Sequence, residues 1–129
     1  MNSGESKKSA FKTLERATKL KLLPGDRIVL ASGIQYNESL NLINQQGTLN
    51  KPIVITAVNW EGKDSKKTAI IDFKSQANGI LIEDCSFVTL SNITLTGNGY
   101  IQEDKTLKMR CGLLLTSKKS KLMEHILIQ

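Results

Sequence analysis

The sequence predicts a β-solenoid, a chain of short strands coiled so that each strand lies beside its equivalent one turn further on. Three observations predict this fold class. The strand-like segments are short, with apolar or alternating runs of three to five residues, and are bounded by turn residues. Two stretches of the second half repeat at a constant spacing. The apolar residues are mostly Ile, Leu and Val, with aromatic residues at 5% of the 129-residue chain, which favours strands stacked around a narrow core.

A polar N-terminal segment and one helix precede the strands. Residues 1–9 are polar and are expected to be disordered. The apolar spacing then predicts a helix over residues 10–23, which Pro24 ends. One face of this helix carries Phe11, Leu14 and Ala17. A helix of about three turns is too short to be stable alone, so it is expected to pack on the coils, which run over residues 26–129.

Seven segments after the helix are predicted to be strands. They are residues 27–30, 40–43, 52–57, 69–72, 79–82, 88–90 and 93–96. Segments this short, separated by turns rather than by long connections, exclude a helical bundle. They leave a sandwich, a barrel or a solenoid, and the internal repeat decides between these architectures.

The repeat joins residues 79–96 to residues 112–129 at one constant spacing without a gap. The pairs that keep their apolar character are Ile80/Leu113, Leu81/Leu114, Ile82/Leu115, Leu90/Met123, Ile93/Ile126 and Leu95/Ile128. A repeat with three short strands is typical of a solenoid, in which each strand pairs in parallel with its equivalent and like residues stack. A polar insertion at residues 97–110 accounts for part of the spacing, so the coil itself is expected to hold about twenty residues.

Two sets of motifs carry a resemblance to a known family. The stretch GILI-x5-VTLSNITLTGNG, at residues 79–99, is similar to the repeat of right-handed parallel β-helix proteins of the pectate-lyase type. Upstream, F-K-T-L-x-x-A (residues 11–17) and L-x-P-G-D-R-I-V-L (residues 22–30) resemble the helix and first coil of such proteins. The likeness covers residues 11–129. The first coil looks most like that of alginate lyases, chondroitinase B and secreted β-helix proteins of gut and marine bacteria.

The resemblance implies an all-β fold, a right-handed parallel β-helix of the pectin-lyase type whose N-terminal helix caps the first coil. Asn92 stands where the family has its stacked asparagine at a tight bend, and His125 takes the equivalent position one repeat on. Gly79 and Gly112 open the two repeats and are expected to be structural. Because the chain ends in the strand-like run 126–129, we expect an N-terminal piece of a longer protein, truncated at its C-terminal side.

For function, the resemblance implies the N-terminal segment of a secreted, carbohydrate-active bacterial enzyme. We expect a polysaccharide lyase or a glycoside hydrolase that acts on an acidic polysaccharide. Its catalytic residues are expected to lie mostly beyond this segment, which would be inactive by itself and part of a monomer when full length. The alternative is a non-catalytic β-helix, such as an adhesin, a surface protein or a glycan-binding module, because the same fold carries both kinds of protein.

The insertion at residues 97–110 is the first candidate site, because such loops border the substrate groove in the family. Its candidate substrate-binding residues are Tyr100, Lys105, Lys108 and Arg110, and positive charge continues at Lys118, Lys119 and Lys121. A ring and several cations suit an acidic polysaccharide, and the formal net charge of +6 also favours an anionic partner. Nucleic acid is not expected, because no aromatic-rich strand face or binding motif accompanies the charge. A solvated loop is the alternative interpretation.

Several carboxylates are expected to have structural roles instead. Asp26 and Asp72 stand in turns, where they are expected to cap backbone groups. Glu83 and Asp84 follow a strand and are expected to face solvent at a corner of the coil. The single histidine, His125, has no Ser or Cys nucleophile signature near it, which argues against a catalytic triad.

The remaining features exclude other classes of protein. Cys85 and Cys111 are too few for a disulfide scaffold and are expected to fill space in or beside the core. No cofactor motif or metal-ligand spacing occurs, although the resemblance allows a calcium ion in the full-length protein. No apolar run is long enough to cross a bilayer. No signal peptide is present, so the expected location outside the cell or on its surface requires a leader beyond this chain.

Overall fold

The computed structural model describes residues 14–59, 68–74, 76–98, 111–118 and 126–128. Within these ranges the chain forms one short helix and ten strands. They are α1 Leu14–Thr18, β1 Arg27–Ala31, β2 Gln35–Tyr36, β3 Leu40–Ile43, β4 Ile53–Val58, β5 Ala69–Asp72, β6 Asn78–Glu83, β7 Val88–Leu90, β8 Ile93–Thr96, β9 Cys111–Thr116 and β10 Ile126–Ile128. The predicted disordered lead and the first part of the predicted helix lie outside the described residues.

The strands form three parallel sheets, which we call A, B and C. Sheet A has the order β1-β4-β7-β10, sheet B the order β2-β5-β8 and sheet C the order β3-β6-β9. The chain visits A, B and C in turn, so β1–β3, β4–β6 and β7–β9 are three successive coils. Every strand pairs in parallel with its equivalent in the next coil, as the sequence predicts for a solenoid.

The predicted register is confirmed in sheet C. Ile80 pairs with Leu113 and Ile82 with Leu115, as the repeat indicates. The same spacing places Leu81 beside Leu114. The apolar alternation of β6 is therefore carried directly into β9.

The prediction that the same spacing relates the last strand to its partner is wrong, because that strand belongs to sheet A. Ile126 and Ile128 pair with Val88 and Leu90, and not with Ile93 and Leu95. Since Leu90 pairs with Ile128, the predicted pair of Leu90 with Met123 is wrong as well. His125, predicted to be the equivalent of Asn92, lies outside the described residues.

The physical reason is that the connections between strands differ in length, so each sheet has its own spacing. Ala69 pairs with Ile93 in sheet B, whereas Leu40 pairs with Ile80 in sheet C, across a much longer stretch of chain. The expectation of a coil of about twenty residues is therefore wrong. The repeat in the sequence therefore reflects the spacing of one sheet, and the insertions change the spacing of the others.

The core lies between the three sheets. Alternate residues of each strand point inward and stack on their equivalents in the next coil. Those that are at most 4% exposed include Leu40, Leu42, Ile53, Ile55, Ile71, Ile80, Ile82, Val88 and Leu90. Each such aliphatic side chain stabilises the fold by about 1.5–3 kcal/mol.

Helix α1 is shorter than predicted at its C-terminal end, since it ends at Thr18. The backbone beyond it bonds to a side chain of the first coil instead of continuing the helix. Leu22 N–H donates to Oε1 of Gln45 at 2.9 Å, and Nε2 of Gln45 donates to the Leu20 carbonyl at 3.1 Å. No helix in the described ranges is long and apolar enough to cross a membrane.

The same helix packs against β3, the edge strand of sheet C. Leu14 and Ala17 are buried in the common core. The Thr18 hydroxyl accepts a hydrogen bond from the Asn41 N–H at 3.3 Å, and Glu38 accepts one from the Glu15 N–H at 3.0 Å. These bonds use backbone donors that the first turn of a helix and an edge strand otherwise leave unpaired.

Asn92 lies in a two-residue bend between β7 and β8. Its φ of 58° is in the left-handed region, which Asn tolerates better than most residues. Its carbonyl accepts the Ala69 N–H at 3.1 Å, and its side-chain amide is 3.5 Å from the Thr56 hydroxyl of the preceding coil. Asn92 therefore connects the bend to the coil beneath it.

Candidate functional site

The substrate-binding residues expected from the sequence, Tyr100, Lys105, Lys108 and Arg110, lie outside the described residues. Lys119 and Lys121 also lie outside them, whereas Lys118 is described. The ends of the insertion are placed by β8, which ends at Thr96, and by β9, which begins at Cys111. The insertion therefore connects the end of β8, in sheet B, to the start of β9, in sheet C.

The outer face of sheet C is the candidate functional site. Leu40, Ile80 and Leu113 are stacked inward, so by strand alternation their neighbours point outward. The outward residues form two stacks across three coils, Asn41–Leu81–Leu114 and Ile43–Glu83–Thr116. The face is therefore aliphatic and polar, with a single carboxylate among its described residues.

Glu83 is buried, contrary to the expectation that it faces solvent. It is 8% exposed, between Ile43 and Thr116 of the adjacent coils. Its Oε1 is 3.4 Å from Nζ of Lys118, whose side chain is 76% exposed. Lys118 is the only partner of this carboxylate among the residues that the structure describes. Strand alternation alone predicts that Glu83 points outward, but its burial depends on residues from other coils.

Asp84 fixes the position of Lys118. Its Oδ1 accepts hydrogen bonds from the Lys118 N–H at 2.9 Å and from the Ser117 hydroxyl at 3.0 Å. Asp84 has a φ of 51°, and Asn44, the equivalent residue one coil earlier, has a φ of 56°. Their N–H groups donate to the residue one coil further on, Asn44 to Glu83 and Asp84 to Thr116. The corner is therefore a repeated left-handed bend, and Asp84 is a structural residue within it.

The other described carboxylates bind backbone groups or a helical neighbour. Asp26 accepts the Leu23 N–H at 2.8 Å, and Asp72 accepts the Lys74 N–H at 3.0 Å, which confirms the expected capping roles. Glu15 forms an exposed ion pair with Lys19 at 2.8 Å. Glu83 thus differs from the rest in lying on a sheet face without a backbone donor.

Two cysteines lie in or next to the strands of sheet C, Cys85 just after β6 and Cys111 at the start of β9. Cys85 is 1% exposed and its thiol contacts the Leu42 and Glu83 carbonyls, so it fills space at the corner as expected. Cys111 is half-buried, and both thiols are free. In the described part of the chain, no group of three or more His, Cys, Asp or Glu residues is arranged to hold a metal ion.

The three parallel sheets and the coil-by-coil register define the class of protein, a parallel β-helix. No family model matches the sequence, and no curated protein matches it either. Among solved structures, two crystal structures of the GH136 lacto-N-biosidase from Eubacterium ramulus are similar. The selenomethionine derivative matches with a TM-score of 0.73 at 21% identity over 97% of this chain, and the native protein with 0.70 at 22% over 89%.

This chain spans 24% of the length of each lacto-N-biosidase structure. At such identity the likeness establishes the fold, a β-helix of the kind that a glycoside hydrolase uses. The sequence motifs resemble proteins of the pectate-lyase type, whereas the similar structures are glycoside hydrolases.

Proposed function

We propose that this chain forms coils of a carbohydrate-active β-helix protein of the glycoside hydrolase kind, with the glycan bound across the outer face of sheet C. The observation that carries the proposal is the structural likeness to the lacto-N-biosidase over 97% of the chain. The position of Lys118 on that face supports it, because an exposed ammonium group donates hydrogen bonds to sugar hydroxyls, and the buried Glu83 carboxylate lies 3.4 Å from this group.

The chemistry of glycoside hydrolysis requires two carboxyl groups on either side of the scissile bond. Among the described residues only Glu83 lies on the proposed face, and the other carboxylates cap backbone groups or pair on α1. The described coils therefore bind and orient the sugar in this proposal. Both catalytic carboxyl groups are supplied in this proposal by residues outside the described ranges.

The proposal also includes the handedness of the coil, the role of α1 and secretion of the protein. We expect the coil to be right-handed, because a parallel crossover between strands is right-handed in nearly all proteins. We expect α1 to cover the N-terminal end of the solenoid, which its hydrogen bonds to the edge strand β3 support. We also expect secretion, as for other proteins that act on extracellular glycans.

A glycan-binding module without catalysis is the second candidate function. The observation that favours it is the engagement of nearly all described carboxylates in structural hydrogen bonds. A polysaccharide lyase that acts on an acidic polysaccharide is the third, and it depends on the cations of the insertion.

One experiment separates these candidates. The full-length protein is incubated with lacto-N-tetraose, chitotetraose, oligoalginate, tetragalacturonate and chondroitin oligosaccharides. Released reducing ends report hydrolysis, and ultraviolet absorbance of unsaturated products reports a lyase. We expect reducing ends without absorbance. Binding without any product supports the module, and absorbance supports the lyase. The proposal is overturned if the protein binds none of the glycans and releases no product from them.

A further inference from the structure

We infer that the Glu83–Lys118 pair makes the outer face of sheet C a subsite for an uncharged sugar unit, an inference that rests on the proposed function. Lys118 donates hydrogen bonds to the sugar hydroxyls. Glu83 acts through Lys118: it neutralises the ammonium charge and orients it, and is therefore a positioning residue. The substrate class that follows is a neutral glycan, in contrast to the acidic polysaccharide expected from the sequence.

The first feature that favours a neutral sugar is the charge of the outer face of sheet C. Its described outward residues are Asn41, Ile43, Leu81, Glu83, Leu114 and Thr116. Lys118 is the cation placed against them, and it is 3.4 Å from the carboxylate of Glu83. The pair has no net charge, and the other described side chains of the face are uncharged. A uronic acid unit bound here would meet an ammonium group that already has an anionic partner.

The second feature is the apolar surface that stacked leucines form on this face. Leu81 and Leu114 are neighbours in register on adjacent coils, and adjacent strands are about 4.8 Å apart. Two aliphatic side chains at that separation form a flat platform for the apolar face of one sugar ring. Lys118 is the second residue after β9, and its ammonium group reaches the next stack of the same sheet, at Glu83. A ring on the platform therefore has the ammonium group at its edge, where its hydroxyls lie.

The pair is also held in place before any ligand arrives. Asp84 fixes the backbone of Lys118 at 2.9 Å, and Glu83 fixes the ammonium end of its side chain. Glu83 itself is locked between strands on both sides and is 8% exposed. Part of the ordering that a free lysine side chain would need on binding is therefore present in the unliganded protein.

The test measures the affinity of the full-length protein for neutral and anionic oligosaccharides at low and high ionic strength. The neutral probes are lacto-N-tetraose and chitotetraose, and the anionic probes are tetragalacturonate and oligoalginate. We expect the unmodified protein to bind a neutral probe with little dependence on salt, because no net charge is involved.

Two variants give the readout that a merely structural role would not change. In Glu83→Gln, Lys118 keeps its charge without a counter-ion, so binding of the neutral probe falls about threefold while binding of an anionic probe rises about threefold at low salt. In Lys118→Gln, both are weak. Glu15→Gln, which breaks the ion pair on α1, is the matched control and is expected to change neither affinity.

The outcomes are distinguishable. Binding of anionic probes alone, weakened by salt, overturns the inference but leaves the proposed function standing. Unchanged selectivity in Glu83→Gln also overturns the inference. Failure of every probe to bind or react overturns the proposed function, and the inference with it. If Glu83→Gln does not fold, Lys118→Gln decides, since that side chain is 76% exposed: unchanged neutral binding overturns the inference, and a loss supports it.

Discussion

Phe73 lies directly against Gly79, so closely that no side chain fits between them. A Cβ atom on Gly79 would be 2.8 Å from Cδ1 of Phe73 and 2.7 Å from the carbonyl oxygen of Gly112 in the next coil. Phe73 is buried in the bend between sheets B and C, at the corner from which the insertion leaves. The glycine that opens the repeat is thus explained by a close approach of backbone and ring.

We expect Gly79→Ala to lower the free energy of unfolding by about 1–3 kcal/mol, because the ring or a backbone carbonyl must move. Gly112→Ala is the matched control, since its Cβ would be 3.4 Å from two carbons of Leu95, which a small side-chain shift accommodates. Ala in a strand interior otherwise gains about 0.5–1 kcal/mol over Gly. Urea denaturation measures both variants. Equal stability of the two would contradict the proposed contact.

The bend at Asn92 gives a second prediction about stability. With a φ of 58°, Asn92→Ala forces a Cβ into the left-handed region without the amide that makes this conformation tolerable. The expected loss is about 1–2 kcal/mol in the free energy of unfolding. Asn92→Gly, which removes the same amide but has no Cβ, is expected to be nearly neutral. The backbone explanation fails if the two variants are equally destabilised.

The buried thiol of Cys85 gives a prediction about pH. Burial raises the pKa of this thiol above its ordinary value of 9.0. Above about pH 9 the unfolded state therefore loses its thiol proton first, and the folded state binds more protons. The stabilisation is complete below the unfolded pKa and is lost as the pH rises through the folded pKa.

The measurement is urea denaturation of the protein and of Cys85→Ala between about pH 8 and about pH 10. The stability advantage of the unmodified protein over the alanine variant is expected to shrink across this range. Cys111→Ala controls for the general effect of alkali, since that thiol is only half-buried. An advantage for Cys85 that stays constant over the range would be inconsistent with a raised pKa.

The sequence predicts the solenoid and the register of sheet C because the apolar alternation in β6 and β9 is uninterrupted. It does not predict sheet A, because the chain between Leu90 and Ile126 includes an insertion whose length the pattern cannot assign to one connection. The left-handed corner recurs at Asn44 and Asp84, each of which directly follows a residue that pairs in sheet C. That equivalence is visible only once the pairing of β3 with β6 is known.

The burial of Glu83 illustrates why the sequence does not predict the candidate site. Local sequence places a charged residue after Ile82 and before a turn, which is typical of a solvated position. Its environment comes instead from Ile43, Thr116 and Lys118, all of which belong to other coils and are distant in sequence. Contacts between coils of unequal length are not encoded in any local pattern, so the sequence shows the fold class more readily than the site.

The last prediction concerns Asp84, whose carboxylate holds the backbone of Lys118. Asp84→Ala removes the acceptor and puts Ala at a φ of 51°, so we expect faster hydrogen exchange at the Lys118 amide and weaker glycan binding. Asp84→Asn retains an oxygen acceptor and tolerates the left-handed backbone, so both properties are expected to stay close to those of the unmodified protein. Hydrogen exchange followed by mass spectrometry measures the first effect and calorimetry the second. Unchanged protection of the Lys118 amide in Asp84→Ala would show that another contact positions this lysine.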